Sequence, residues 1–412
     1  MPTNMKRFEF HRRDLLKAVP LGVVGLFQAC RTAKADRSEV ADDDWFSSAD
    51  LRPLVRFPEK APMILLTDRP PLLETPLHYF REDFTPNEAL FVRWHFAGIP
   101  TEVNTAEWRL DVTGSVNRPL QLSLDDLRHR FEAASLVAVS QCVGNSRGLF
   151  DPRVPGAQWR HGAMGNARWT GVRLKEILDL AGVRARSVEV AFRGLDEPPL
   201  SASPAIERSL TLDHSRDGEV MVAYEMNGQP LPLLNGFPVR LVVPGWYATY
   251  WIKSLSHITV RDTPSQNFWM KTAYHMPNNP GANEQPDHPA QDTIPINKFE
   301  VHSIFVSPEP GEVIAAGKPR EVQGLAMDSG AGIQQVEFSS DGGRSWRDAA
   351  LDPDLGRYSW RRWRTTWRPA VRGVYRCMVR ATNKAGVSQL QSQWNRGGYQ
   401  RSLIEHMDVR AI

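Results

Sequence analysis

Cysteine is scarce in this chain of 412 residues, which contains only Cys30, Cys142 and Cys377. Cys30 falls in an apolar N-terminal segment, so two cysteines remain for the folded protein. Two thiols are too few for the disulfide framework of a small secreted domain. They also cannot supply a Cys-x-x-Cys-His attachment site, so we expect no haem in this chain.

Long apolar runs and a basic excess are missing as well. No stretch of about 18 apolar residues occurs, so the sequence predicts no membrane span. The formal charge of +3 depends on residues 1–35, which carry seven basic and two acidic residues. The remainder is therefore slightly acidic. Because a nucleic-acid binder needs basic surface to neutralise phosphates, the sequence predicts no nucleic-acid partner.

The N-terminal segment has the order of an export signal. Arg12 and Arg13 precede two leucines and Lys17, an apolar run covers residues 18–29, and Ala33-Lys34-Ala35 follows. A charged start, a short apolar middle and a small-residue cleavage site are typical of a secretory signal. The paired arginines favour twin-arginine export, with residues 1–35 as the signal peptide and a periplasmic location. A basic tail beside a core helix is the alternative.

The main body of the chain predicts an α+β fold in two domains. Residues 36–76 are Pro-rich and are interpreted as an extended arm of a first domain that ends near residue 290. One segment of helical spacing, Leu174 to Ala181, stops at Gly182, which is a common helix C-terminal residue. Strand candidates outnumber helices. They are Trp108 to Val112, Leu136 to Ser140, Val188 to Phe192 and Val239 to Val243.

The last third of the sequence predicts an immunoglobulin-like β-sandwich over residues 291–412. A connection rich in Pro, Asn and Gly covers residues 276–293. Period-two alternation on either side of Asp341-Gly342-Gly343 indicates a hairpin. Residues 358–368 and 373–382 are further strand candidates, and short strands without helices are typical of a sandwich. Trp346, Trp360 and Cys377 are expected in its core.

The segment around Cys142 is the strongest candidate for chemistry. An apolar strand from Leu136 ends at this cysteine and runs into a glycine-containing loop with Arg147. A cysteine at a strand end can point its sulfur into a cleft, where a nearby cation favours the thiolate. Taken alone, such a cysteine is more often a buried apolar residue, and such glycines often mark an ordinary loop.

Five ordered blocks change that interpretation, because together they resemble the sulfite oxidase family of molybdopterin enzymes. The resemblance runs from about residue 60 to the C-terminus. Residues 268–274 and 293–297 carry a finer likeness to the molybdenum subunit of periplasmic bacterial sulfite:cytochrome c oxidoreductases, or sulfite dehydrogenases. The blocks are residues 91–95 (FVRWH), 141–147 (QCVGNSR), 162–172 (GAMGNARWTGV), 224–232 (YEMNGQPLP) and 236–245 (GFPVRLVVPG).

The resemblance assigns a role to each matching residue. Cys142 is expected to bind molybdenum, and Arg93, Arg147 and Tyr274 to line the substrate pocket, with Trp159 and Arg401 as further pocket residues. Arginine suits a sulfite dianion, since its charge is permanent and its planar fork meets two oxygens. The positions expected to hold molybdopterin are Phe91, Val92, Arg93, His95, Asp196, Asn235, Arg240, Trp251 and Lys253. The family usually has His where this chain has Asn235.

The resemblance also implies an activity, which is the oxidation of sulfite to sulfate with molybdenum and molybdopterin as cofactors. Electrons would leave singly to a c-type cytochrome, which is either a transient acceptor or a subunit. The sandwich would match the family's dimerisation-type domain.

Other interpretations remain open at this point. The same fold could act as a nitrate or S-oxide reductase, or as a dehydrogenase of sulfane sulfur. A catalytically silent, secreted binding scaffold is the alternative from another class. Residue by residue, Arg93 or Arg147 could be surface ion-pair partners, Tyr274 core packing, and Asp196 the start of a turn.

Overall fold

A computed structural model describes residues 52–412 of the chain. The predicted signal peptide, residues 1–35, lies outside the described residues. Within residues 52–412, no helix is both long enough and apolar enough to cross a membrane.

A small antiparallel sheet opens the described chain, and it corrects the prediction of an irregular arm. Its strands pair in sequence order, and its buried side chains, Met63 and Leu73, pack against Trp94 in a cluster of their own. The strands are very short and are separated by proline-containing segments, so the alternation that predicts a strand is weak. Their bounds are β1 Leu54–Val55, β2 Met63–Thr67, β3 Leu72–Glu74 and β4 Val92–Arg93.

Two five-stranded sheets form the centre of the first domain. One has the order β10-β9-β14-β5-β6, in which β14 and β5 are parallel. The other has the order β12-β11-β8-β7, with β13 also paired to β11. Their bounds are β5 Leu110–Gly114, β6 Leu120–Leu122, β7 Ala134–Gln141, β8 Met164–Arg173, β9 Glu189–Gly194, β10 Glu207–Thr211, β11 Met221–Met226, β12 Gln229–Pro230, β13 Arg240–Val242 and β14 Leu255–Arg261.

The helices are short, as the α+β prediction requires. The predicted helix is confirmed with the bounds Leu174–Ala181, and Gly182 ends it with a left-handed φ of 69°. It buries Leu174, Ile177 and Leu178 on one face, which is the spacing that made it predictable. Residues 52–412 contain four α-helices, which are α1 Leu124–His129, α2 Leu174–Ala181, α3 Leu212–Ser215 and α4 Phe268–Lys271.

The C-terminal part is a β-sandwich, as predicted. A pair of strands, β15 His275–Pro277 and β16 Thr293–Pro295, precedes it and spans the predicted boundary at residue 290. The two sheets have the orders β17-β19-β23-β22 and β18-β25-β24-β20-β21. Their bounds are β17 His302–Ser307, β18 Val313–Ile314, β19 Arg320–Met327, β20 Ile333–Ser339, β21 Arg347–Asp348, β22 Ala350–Leu351, β23 Arg361–Trp367, β24 Gly373–Asn383 and β25 Glu405–Ala411.

One of the three residues expected in the sandwich core lies there. Cys377 is buried between the sheets with Phe338 and Trp363. Trp346 is instead half-buried at the edge, where the Arg380 guanidinium lies 4.3 Å from its ring centre. Trp360 is fully buried, but in the core of the first domain. The first domain therefore covers the hydrophobic surface of Trp360.

A short segment of the sandwich, residues 357–360, joins the two domains. The backbone N–H of Val139 in β7 donates to the Tyr358 carbonyl at 2.9 Å. Asn166 donates to the Ser359 hydroxyl at 2.9 Å, and the rings of Trp360 and Phe80 meet edge to face at 5.2 Å. Because β7 leads directly to Cys142, the sandwich supports the strand that carries the candidate metal ligand.

Candidate active site

One buried cavity of about 270 Å³ gathers most of the residues that the sequence singled out. We call it the inner cavity. It lies in the first domain, beside the end of β7. Twelve of the fourteen predicted site residues line it: Phe91, Arg93, His95, Cys142, Arg147, Trp159, Asp196, Asn235, Arg240, Trp251, Lys253 and Tyr274.

Val92 and Arg401 are the two predicted residues outside the cavity wall. The Val92 side chain points away from the cavity, because alternate residues of a strand face opposite sides, and it packs into the small N-terminal cluster. Arg401 donates from Nε and Nη2 to both oxygens of Glu405, at 3.0 Å each. This pair is buried beside His302. The structure therefore corrects the prediction of Arg401 as a pocket residue.

Cys142 is the first residue after β7 and is partly buried at the cavity wall. Its N–H donates to the Ala163 carbonyl at 2.9 Å, which keeps it in register with β8. Its own carbonyl accepts from the N–H of Asn145, and this turn reverses the chain. The sulfur is a free thiol. The local fold thus presents one soft ligand atom to an enclosed space.

Three glycines cradle Arg147. A Cβ atom on Gly144 would lie 2.7 Å from the Arg147 Cζ, one on Gly156 would lie 2.7 Å from Nη1, and one on Gly398 would lie 2.6 Å from Cγ. The guanidinium Nε donates to the Gly397 carbonyl at 3.0 Å. Glycine is needed at these positions because the arginine occupies the space that a side chain would fill. Arg147 is thereby held from both domains.

Arg93 ends strand β4 and lines the cavity. Its Nη1 is buried and has no hydrogen-bond partner among the described residues. A buried guanidinium nitrogen without an acceptor is costly unless a ligand supplies one. This atom is therefore a marker for an anionic group in the cavity.

Tyr274 and His95 form a hydrogen-bonded pair between His95 Nε2 and the Tyr274 hydroxyl. Burial raises the pKa of Tyr274 to about 12, so the residue is a neutral phenol at neutral pH. Burial, reinforced by the charges of Arg93 and Lys253, holds the pKa of His95 well below its ordinary value. The pair is therefore uncharged, and when His95 donates the bond the phenol proton is free to point into the cavity.

Lys253, Arg240 and Asp196 add further charged groups to the cavity wall. Burial lowers the pKa of Lys253 to about 7, and that of Arg240 to about 9. Lys253 Nζ donates to the Arg93 carbonyl at 2.9 Å and lies 4.4 Å from the Trp94 ring centre. Asp196 is the one carboxylate in the cavity wall, and burial raises its pKa. Two basic groups whose pKa is lowered by burial favour a bound anion, such as a phosphate, beside them.

Asn235 stands where the family usually has histidine, and an unforeseen residue holds it. Lys60 is buried, and its Nζ donates to Asn235 Oδ1 at 2.9 Å and to the Leu90 carbonyl at 2.7 Å. Asn235 Nδ2 in turn donates to the Phe91 carbonyl at 3.0 Å. The amide at this position is therefore fixed by contacts on both of its polar atoms.

Sequence reasoning missed three residues near the cavity: Lys60, Arg208 and Tyr399. Arg208 is almost fully buried, lies 4.1 Å from the Tyr250 ring centre and 5.7 Å from that of Tyr274, and donates to the Trp269 carbonyl. Each of the three stands alone in a stretch without a motif. Their positions come from contacts between distant parts of the chain.

The donor set fits a molybdenum–molybdopterin cofactor. A soft thiolate from Cys142 suits the metal. Arg240 and Lys253 suit the pterin phosphate, and Arg240 Nε is a buried nitrogen that no acceptor meets in the part of the chain described. Four basic side chains and one carboxylate line the wall, and this positive excess is what an anionic cofactor and an anionic substrate would neutralise.

Comparisons with known proteins identify the family. A model of the oxidoreductase molybdopterin binding domain matches residues 96–269, and a model of the Mo-co oxidoreductase dimerisation domain matches residues 293–395. Sulfite oxidase of Gallus gallus is 33% identical over 344 residues, which are 80% of this chain and 73% of that protein. The chain belongs to the sulfite oxidase family.

Other members of this family extend the comparison. Mitochondrial sulfite oxidase of Homo sapiens is 34% identical over 311 residues, which are 72% of this chain and 55% of that protein. The chain thus spans about half the length of the mitochondrial relatives. Nitrate reductase [NAD(P)H] of Hordeum vulgare is 29% identical over 343 residues, or 78% of this chain and 37% of that protein.

A solved structure shows the same fold over both domains. The sulfane dehydrogenase SoxCD from Paracoccus pantotrophus aligns with a TM-score of 0.72 and 24% identity, covering 93% of each chain. The α+β architecture predicted from the sequence, a molybdopterin domain followed by a sandwich, is therefore confirmed. At this identity the likeness concerns the fold.

Proposed function

We propose that this member of the sulfite oxidase family oxidises sulfite to sulfate and passes the two electrons singly to a c-type cytochrome. The observation that carries the proposal is the set of Cys142, Arg93 and Arg147 around one enclosed cavity. The reaction consumes sulfite and water and yields sulfate, two protons and two electrons. When bound at Cys142, the molybdenum–molybdopterin cofactor supplies the centre that accepts the electron pair.

Binding of sulfite depends on the two arginines. A small dianion loses strong hydration when it enters an enclosed cavity, and this cost must be offset by fixed positive charge. The Arg93 Nη1 atom offers an unused donor, and the cradle of glycines keeps Arg147 in one place. Fixed guanidinium groups need no reorganisation when the anion arrives, so they bind it at low cost.

Orientation of the anion depends on Tyr274 and His95. The hydroxyl of Tyr274 is a neutral donor, since burial keeps its pKa near 12. His95 anchors that hydroxyl, while the backbone of Tyr274 is held by the N–H of Ile296 at 2.8 Å. A phenol anchored in this way can direct one hydrogen bond at an oxygen of sulfite or sulfate.

Export and electron transfer complete the proposal. The twin-arginine signal of residues 1–35 would deliver the folded protein to the periplasm, where c-type cytochromes are available as one-electron acceptors. The proposal rests on the sequence pattern for export and on the resemblance for the acceptor. The rival reactions on the same fold are reduction of nitrate or an S-oxide, and oxidation of sulfane sulfur.

One experiment separates sulfite oxidation from the two reductase reactions. Purified protein is analysed for molybdenum and pterin and is then mixed with sulfite and oxidised cytochrome c. We expect about one molybdenum per chain and cytochrome reduction that depends on sulfite. Parallel assays test nitrate and methionine sulfoxide with a reduced dye. Molybdenum-loaded protein that sulfite fails to reduce would contradict the proposed substrate, and protein without any molybdenum would favour the silent scaffold.

A further inference from the structure

A second cavity, of about 560 Å³, adjoins the inner cavity and is more open to solvent. We call it the outer cavity. Besides residues of its own, such as Glu284 and Arg396, its wall shares four residues with that of the inner cavity. The shared residues are Arg93, His95, Tyr274 and Tyr399. The two cavities therefore adjoin at these four side chains, which we call the partition.

Two tyrosine rings provide the aromatic part of this partition. The rings of Tyr274 and Tyr399 are stacked, with centroids 5.9 Å apart and an angle of 26° between their planes. The Arg147 guanidinium lies 5.2 Å from the centre of the Tyr399 ring, a distance typical of a cation–π contact. Tyr399 thus links the residue that is proposed to orient the anion with one that is proposed to bind it.

Tyr399 belongs to the sandwich domain. It lies in a turn over residues 395–400 that we call the C-terminal turn. Within it, the N–H of Tyr399 donates to Asn395 Oδ1 and Asn395 Nδ2 donates to the Tyr399 carbonyl, each at 2.9 Å. The N–H of Gln400 donates to the Val143 carbonyl at 3.0 Å. These bonds tie the turn to the loop that follows Cys142.

Glycine at position 397 fixes where the ring lies. A Cβ atom on Gly397 would be 2.5 Å from the Cδ2 atom of the Tyr399 ring. The ring therefore lies against the backbone of its own turn on one side and against the Tyr274 ring on the other. A ring held from two sides is a rigid barrier.

We propose that Tyr399 determines the size of the substrate: with Tyr274 it admits a small inorganic oxyanion to the inner cavity and stops a sulfur oxyanion that carries a bulky organic group. This inference rests on the proposed function and adds a specificity residue to it. A substituted sulfur compound would reach the outer cavity, where Arg93 and Arg396 line the wall, and would halt at the two rings.

The test measures anion binding by calorimetry and needs no turnover. Molybdenum-loaded protein is titrated with sulfate, a small oxyanion, and with benzenesulfonate, which carries a ring. We expect wild type to bind sulfate and to bind benzenesulfonate at least about tenfold more weakly. Tyr399→Ala should bind benzenesulfonate about tenfold more tightly than wild type does. Tyr399→Phe keeps the ring and should still exclude it.

Controls separate the outcomes. Tyr79→Ala removes a tyrosine that lines neither cavity and should leave both affinities unchanged. If Tyr399→Ala loses its molybdenum, Tyr399→Val replaces it with a smaller loss of packing. Equal affinity of wild type for the two anions would overturn the proposal, as would an opened variant that still excludes benzenesulfonate. Failure of sulfite turnover with size selection intact would refute the proposed function alone.

Discussion

Cys142 is a thiol at a strand end and lines the cavity together with four basic side chains. Its role can be tested by replacing the sulfur alone. We expect Cys142→Ser to abolish sulfite turnover and leave the fold intact, because the backbone bond to Ala163 does not involve the side chain. Sulfite-driven cytochrome c reduction measures the activity, and circular dichroism with thermal unfolding measures the fold. Turnover at the wild-type rate would refute the ligand assignment.

Arg93 has a buried nitrogen without a hydrogen-bond acceptor among residues 52–412, so loss of its guanidinium should weaken the binding of sulfite. We expect Arg93→Gln to lower kcat/KM by about tenfold to hundredfold, as a lost charged contact is worth about 1.5–3 kcal/mol. Steady-state kinetics measure this change. Arg109→Gln, at an exposed position outside the cavity, is the matched control and should behave as wild type. An unchanged kcat/KM in Arg93→Gln would place that residue outside the substrate path.

Half of the predicted site residues fall in the five ordered blocks of sequence that carry the family resemblance. Lys60 and Tyr399 could not be predicted. Lys60 meets Asn235 across 175 positions, and Tyr399 reaches the cavity through a turn that contacts Arg147 from 250 positions away. No local pattern records a contact of that kind. Arg401 was predicted in the pocket but does not line the inner cavity, because its Nε and Nη2 donate to Glu405.

At the scale of elements, the loop after β7 shows how backbone and side chain are matched. Gly144 has no left-handed φ, so its replacement by alanine tests crowding against Arg147 alone. We expect Gly144→Ala to displace the guanidinium and lower kcat/KM for sulfite about tenfold. Gly144→Ala in an Arg147→Gln background should lower kcat/KM much less, because the guanidinium that alanine displaces is already absent.

Wild type, the two single variants and the double variant are compared by steady-state kinetics. Additive losses would show that Gly144 acts on the fold and not through Arg147. A loss confined to KM, with kcat retained, would assign the arginine to ground-state binding of the anion.

Elements could be predicted where one pattern ran for long enough. The helix Leu174–Ala181 and strand β7 have clear periodicity, and both are confirmed. The N-terminal sheet could not be predicted, because its strands have only two to five residues and are separated by proline-containing segments. Such short strands show little alternation of apolar and polar residues. Trp360 was assigned to the wrong core, since composition does not show which domain covers a large ring.

At the scale of the whole molecule, a buried lysine links stability to pH. Burial lowers the pKa of Lys253 to about 7 in the folded state, whereas the unfolded lysine keeps its ordinary higher value. Between these two values the unfolded chain binds the extra proton, so stability should rise with pH above about 7. Chemical unfolding of cofactor-free protein at pH about 6 to 9 measures this rise.

Two variants control for the other titrating groups. Lys253→Met should reduce the rise and leave the part due to Lys60, whose pKa burial also lowers to about 7. Lys318→Met, at an exposed position, should retain the full rise. A profile that stays the same in Lys253→Met would contradict the assignment. Addition of a phosphate-bearing ligand should reduce the pH dependence as well, because an anion beside Lys253 raises the pKa of the lysine.

The junction at residues 357–360 bears on how such a protein can be rebuilt by evolution or by engineering. One carbonyl of the sandwich accepts the bond from Val139 in β7. Deletion of the sandwich would therefore expose a strand edge three residues after the start of the apolar run at Leu136 and three before Cys142, the candidate metal ligand. A shortened enzyme of this architecture would have to supply a substitute cap there. Recombination points that preserve metal insertion should accordingly lie outside residues 136–360.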